Sequence, residues 1–203
     1  MVTYLSAGIA LGLSAGFSPG PLLTLLLSQT VKHGPKEGAK VAFAPLITDF
    51  PIMVVSTLLL TSFSNYRPVL AGVSIAGGMF LFYLVYESFR TSGFKVTVDE
   101  AAPRSLLRGT MVNALNPHPY LFWMTVGAPI LLKGWAQSPL LPAIFLGTFF
   151  GCLVGSKVLL AILVGKSRQF LSGRPYILIN RVLGLALFVF AIILLRDGLR
   201  LLS

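Results

Sequence analysis

The chain has 203 residues, 55% of them hydrophobic and only 11% charged, with a mean hydropathy of +0.84. A water-soluble domain carries about 25% charged residues. Here apolar runs reach about twenty residues and more, which excludes a soluble globular fold and predicts a helical integral membrane protein. The net charge of +10 would suit a nucleic-acid partner. However, the basic residues sit in short segments between apolar runs, where membrane topology places them, so nucleic acid is excluded as a partner too.

Six spans are expected, over about 3–31, 39–63, 68–90, 105–133, 139–165 and 176–199. The first opens on Met1-Val2-Thr3-Tyr4 without a basic leader region and is expected to be retained as a span. In its middle stands Ser18-Pro19-Gly20-Pro21. Two prolines remove two backbone donors, and their rings press on the carbonyls of Ala15 and Phe17, four positions back. A break is expected here, with Ser18 as N-cap and Pro19 as first residue of a restarted half-helix. The second span carries Asp49, about ten residues in, bracketed by Pro45 and Pro51. A carboxylate at that depth is unfavourable by several kcal/mol unless protonated, paired or wet, so Asp49 is a functional candidate and its helix is expected to be irregular.

The third span ends in Glu87 and Arg90, which read as a cytoplasmic anchor pair. A polar linker, 91–104, follows, with Asp99, Glu100 and Pro103. The fourth span repeats the device of the first as Asn116-Pro117-His118-Pro119, preceded by Asn113. Cys152 in the fifth span is without a disulfide partner and reads as packing. Lys157, in the same span, can snorkel or pack, or it can pair with Asp49; both readings stand. Asn113 and Asn180 are expected to bond across helices. His118 is read as either a proton relay or a cavity wall.

Eleven basic residues fall on one side of this arrangement: Lys32, Lys36, Lys40, Arg90, Lys95, Arg104, Arg108, Lys166, Arg168, Arg174 and Arg181. Four fall on the other: Arg67, Lys133, Arg196 and Arg200. The first set is therefore expected in the cytoplasm and both termini outside, in a cell (plasma) membrane. Pro19 and Pro21 map onto Pro117 and Pro119 in the second half, and Ser18 maps onto Asn116. The expected fold is thus an all-α membrane protein of six helices in an inverted three-plus-three repeat. Its first repeat is 1–90, its linker 91–104 and its second repeat 105–203.

Breaks at equivalent places in two halves point to a central binding site, the alternative being two packing kinks, since proline is common in spanning helices. If each restart offers a helix N-terminus at the midplane, the two together suit an anion such as a substrate carboxylate. Nucleotide-binding loops and Cys/His clusters are missing from the sequence, and the Gly-x-Ser-x-Gly spacing of Gly12-Leu13-Ser14-Ala15-Gly16 lies inside the first apolar span, not at a strand-to-helix elbow. An ATP-driven pump, a metal site, a cofactor and hydrolytic catalysis are accordingly not expected.

Three segments together resemble the LysE/RhtB family of small amino-acid exporters. They are Gly16-Phe17-Ser18-Pro19-Gly20-Pro21, His33-Gly34-Pro35-Lys36-Glu37-Gly38 and Asn113-Ala114-Leu115-Asn116-Pro117, supported by Gly77-Gly78 and by Asn180 with Gly184. The resemblance implies export of amino acids or related metabolites, driven by a proton or cation gradient. Members often carry lysine after the second Asn-Pro, and here the residue is His118. Read this way, Ser18, Pro19, Gly20, Pro21, Asp49, Asn113, Asn116, Pro117 and His118 form the substrate site. Asp49, His118 and Lys157 are the candidates for proton or cation coupling. The substrate carboxylate would rest on the two half-helix N-termini and its ammonium near Asp49. The reading admits a homodimer, and its rival is a channel-like or structural membrane protein without gradient coupling.

Overall fold

The computed structural model describes residues 1–62, 67–90, 104–166 and 174–202. Most of the expected linker, with Lys95, Asp99 and Glu100, lies outside the described residues, as does Arg168. So do the side chains of Arg67, Glu87, Arg174 and Asn180. Every described element is helical. In order they are α1 (Val2–Phe17), α2 (Pro21–His33), α3 (Pro35–Ala42), α4 (Ala44–Ser62), α5 (Arg67–Arg90), α6 (Ser105–Ala114) and α7 (Pro117–Phe122). A π-helical turn (Trp123–Gly127), α8 (Ala128–Trp135), α9 (Leu140–Lys166) and α10 (Arg174–Leu202) complete the chain.

Among the described residues, three continuous helical runs are long and apolar enough to cross a membrane: Pro35–Ser62, Leu140–Lys166 and Ile177–Leu201. The pair α1 and α2 joins them as one span bent by 62°. At 1.5 Å per residue, a 27-residue helix such as α9 is about 40 Å long, more than the roughly 30 Å hydrocarbon layer, so it tilts or projects.

Proline position explains where the rods stop. The Ser18 N–H still donates to the Ser14 carbonyl at 2.9 Å, so Ser18 closes α1. Ser18 and Gly20 each precede a proline, and a residue in that position is pushed out of the helical region. Gly20 is accordingly extended (φ 174°, ψ 179°), and Pro21 takes the first helical position of α2. This corrects the expectation from sequence: the N-cap is Gly20 and the restart is two residues later than Ser18–Pro19. Gly34 stops α2 with φ 91°, a left-handed value suited to glycine, and Pro35 begins α3. The expected irregularity around Asp49 is also displaced. Helix α4 runs unbroken through Asp49 and Pro51, and the turn falls at Phe43, because Pro45 sits in the first turn of α4 where its missing donor is an orphan anyway.

Two apolar clusters frame the middle of the molecule. One is aromatic: Phe122 stacks on Phe149 at 5.1 Å between centroids, and Trp123 meets Phe149 edge-on at 5.5 Å. The other is aliphatic, built from Leu22, Leu23, Leu26 and Leu27 of α2 against Val41, Ala42, Leu160 and Ala161. Helix α5 lies along α10, with Gly78 against Leu195 and Gly198 against the Ala71 carbonyl.

Helices α1 and α9 also approach closely. Gly8, Gly12 and Gly16, four residues apart, present one bare stripe to α9, where an added Cβ would meet Thr148, the Phe149 carbonyl and Ser156 respectively. In lipid such small-residue stripes let backbones approach and gain dispersion contact. The Phe149 carbonyl is backbone and cannot yield as a side chain would. Gly12→Ala should therefore lower stability by about 1–3 kcal/mol, measured as a lower unfolding temperature of the detergent-purified protein; an unchanged value would show that the two helices are free to slide apart.

Candidate functional site

The α1–α2 break opens onto a cavity of about 110 Å³ between the two clusters. Ser14, Ser18, Asp49, Asn116, His118 and Lys157 line it, together with Asn113. Of the residues expected from sequence, Ser18, Pro19, Gly20, Asp49, Asn113, Asn116, His118 and Lys157 are thus brought together. Pro21 and Pro117 do not line it; they start α2 and α7 and so set where the other residues stand. The volume is well below the roughly 300 Å³ at which drug-sized sites begin, so an occupant must be small.

Asp49 is buried in α4, 5% exposed. Asn113 Nδ2 donates to its Oδ1 at 2.8 Å, and Thr48 Oγ1 lies 3.2 Å from the same oxygen. Asn113 Nδ2 also reaches Thr48 Oγ1 at 2.6 Å, which ties α4 to α6. Both bonds to the carboxylate end on Oδ1. The buried Trp123 indole N–H interacts with Asp49 but falls outside hydrogen-bond geometry, so it has no full partner.

Lys157, 3% exposed, neither snorkels nor forms a close ion pair with Asp49. Its Nζ donates to the carbonyls of Ala15 at 3.3 Å and Gly16 at 3.1 Å, at the C-terminal end of α1. Beside it, the Ser14 hydroxyl is buried, lines the cavity and has no hydrogen-bond partner.

The two restarts differ. At α2 no side chain caps the helix, and Leu22 and Leu23, whose N–H groups belong to its first turn, line the cavity. Those donors have no partner within the helix. At α7 the Asn116 side chain accepts from the His118 N–H at 3.1 Å, and Pro117 and Pro119 have no N–H to offer. The expected pair of equivalent N-termini is therefore one open terminus and one that is already capped. His118 instead contributes its ring, edge-on to Phe80 at 6.1 Å and Tyr83 at 5.9 Å.

Ser14, Phe80 and Trp123 were not found from sequence. Ser14 stands four residues before Ser18, hence on the same helix face, and that spacing was a usable signal. Trp123 had none, because the π-helical turn that begins with it has no sequence mark; such turns are rare and recur at functional sites.

Asn113→Ala would leave a buried carboxylate without its best donor. It should destabilise the protein by about 1.5–3 kcal/mol, the range for hydrogen bonds to charged groups. Asn113→Asp should be worse, since it sets a second carboxylate against the first; thermal unfolding of both variants checks the order.

No curated protein and no solved structure matches the chain. The model of the LysE type translocator family matches residues 13–198, including both breaks, Asp49 and Lys157. Nearly the whole chain is covered, and the protein belongs to the LysE type translocator family, whose members are membrane transporters and not enzymes.

Proposed function

We propose that the protein exports a small amino acid or similar zwitterion from the cytoplasm, driven by the proton or cation gradient. One observation carries the reading. A single small cavity is lined by the Asp49 carboxylate and by the uncapped N-terminus of α2. The first is a partner for an ammonium and the second for a carboxylate, by charge and by free donors. A zwitterion presents both. Ser18, Gly20, Asn113, Asn116 and His118 would complete the substrate site, with Pro19, Pro21 and Pro117 shaping it. Asp49 would couple substrate to the ion, since one carboxylate can hold either a substrate ammonium or a proton; His118 is next in line.

The fold we propose is six spans in two inverted halves, 2–62 with 67–90 and 105–166 with 174–202. The packing supports it. Helix α1 packs on α9, α4 packs on the fourth span at α6 and the π-helical turn, and α5 packs on α10. Exchanging the halves turns the first pairing into the second and the third into itself, as a two-fold axis in the membrane plane requires. Alternating access would be a rocking of these units about the cavity. The excess of basic residues puts the His33–Pro35 connection in the cytoplasm.

Two experiments test the reading. Asp49→Asn keeps shape and most hydrogen bonding but cannot carry charge or exchange a proton. It should fold and insert, abolish uphill export from proteoliposomes, and still permit downhill exchange of labelled amino acid. Uphill export at the wild-type rate would remove Asp49 from coupling, and a wild-type protein that moves solute only downhill would be a channel. For orientation, Cys152 is replaced and cysteine is introduced at exposed positions. Lys36→Cys should resist an impermeant thiol reagent in intact cells and Gln137→Cys should react; the reverse pattern would invert the topology and make the direction import.

A further inference from the structure

The carbonyls of Ala15 and Gly16 stand at the C-terminal end of α1, where the helix dipole gathers partial negative charge. Pro19 offers no N–H to the Ala15 carbonyl, and the extended Gly20 turns its own away from helical reach of Gly16. In hydrocarbon these oxygens need donors or a cation. Asp49 and the unpartnered Ser14 hydroxyl share the same cavity. Backbone carbonyls, a carboxylate and a hydroxyl are the oxygen donors that a hard metal cation takes, and helix C-terminal carbonyls at a break are where transporters hold a coupling ion. In this chain the place is taken: the Lys157 ammonium bonds both carbonyls, at 3.3 and 3.1 Å, and is itself buried.

We propose that the Lys157 ammonium is the resident cation of the α1–α2 break, standing where a metal ion would otherwise bind Ala15 and Gly16, so that the transporter uses no alkali-metal ion and is left with the proton. The charged and titratable side chains sharing the cavity with it are Asp49 of α4 and His118 of α7. The inference rests on reading this cavity as the translocation site, but its test needs no substrate. It can therefore fail while export stands, and export can fail while it stands.

The purified protein is unfolded thermally in sodium chloride and in N-methylglucamine chloride at equal ionic strength. Wild type should unfold at the same temperature in both. Lys157→Ala empties the position of charge and volume together. It should unfold earlier in N-methylglucamine, and sodium or ethylammonium should raise its unfolding temperature by at least about 2–4 °C, the shift expected for a modest ligand in a chain of this size. Lys157→Met keeps the stem and removes the charge; it should be destabilised and neither cation should rescue it. Stabilisation of wild type by sodium would overturn the proposal, and so would a Lys157→Ala protein indifferent to both cations. If the alanine variant does not fold, the other two proteins decide: a methionine variant as stable as wild type overturns the proposal, and one that loses several degrees supports it.

Discussion

Backbone polar groups in hydrocarbon must find partners inside the protein, and the rest of this structure follows from how two broken helices meet that demand. Each Pro-x-Pro removes donors that a continuous helix would have used. Unpaired buried groups of this kind cost about 1–3 kcal/mol each. The chain answers the two breaks with different chemistry.

The second break is satisfied locally. The Asn116 side chain takes the His118 N–H, and the Ala114 carbonyl, which that N–H would have served in a helix, receives the Tyr120 hydroxyl at 2.7 Å. Donor and acceptor are both closed within a few residues. The first break is satisfied from a distance: its carbonyls are held by Lys157, some 140 residues later in the chain, and its N–H groups at α2 are left to the cavity. Only the first break therefore offers backbone charge to a solute. The Gly8, Gly12 and Gly16 stripe belongs to the same solution, since it brings α9 close enough for Lys157 to reach α1.

The site was more legible in sequence than its wiring. Prolines cannot donate wherever they stand, so both breaks could be located from residues 19, 21, 117 and 119 alone. Asp49 stood out because a carboxylate amid apolar residues is costly unless protonated, paired or wet, whether its role is a structural bond or a functional one. Tertiary partners carry no such mark. Lys157 looked free to snorkel because its distance from the helix end is visible in sequence, whereas the carbonyls it serves are not. Ser18 looked like a cap because serine often is one; the rule that both Ser18 and Gly20 precede prolines was the stronger constraint, and it prevailed. The glycine stripe of α1 was present at a regular spacing of four, but spacing shows a bare face without showing what fills it.

The cavity is closed by unlike materials. On the side of α8 the rings of Phe122 and Phe145 stack on Phe149 and Trp123 meets it edge-on, and parting them would expose apolar surface. On the side of the α2–α3 connection, beyond the leucines of α2, a polar tie joins α2 and α3 to α6. There Ser105 Oγ lies 2.7 Å from Glu37 Oε2 and 3.1 Å from Gln29 Oε1, and Lys40 holds Glu37 at 2.5 Å. A protein–protein hydrogen bond exchanged for bonds to water changes stability by only about 0.5–1.5 kcal/mol. Separating buried rings forfeits roughly 25 cal/mol for each Å² newly wetted, over large areas. Of the two closures the polar one is therefore the cheaper to open.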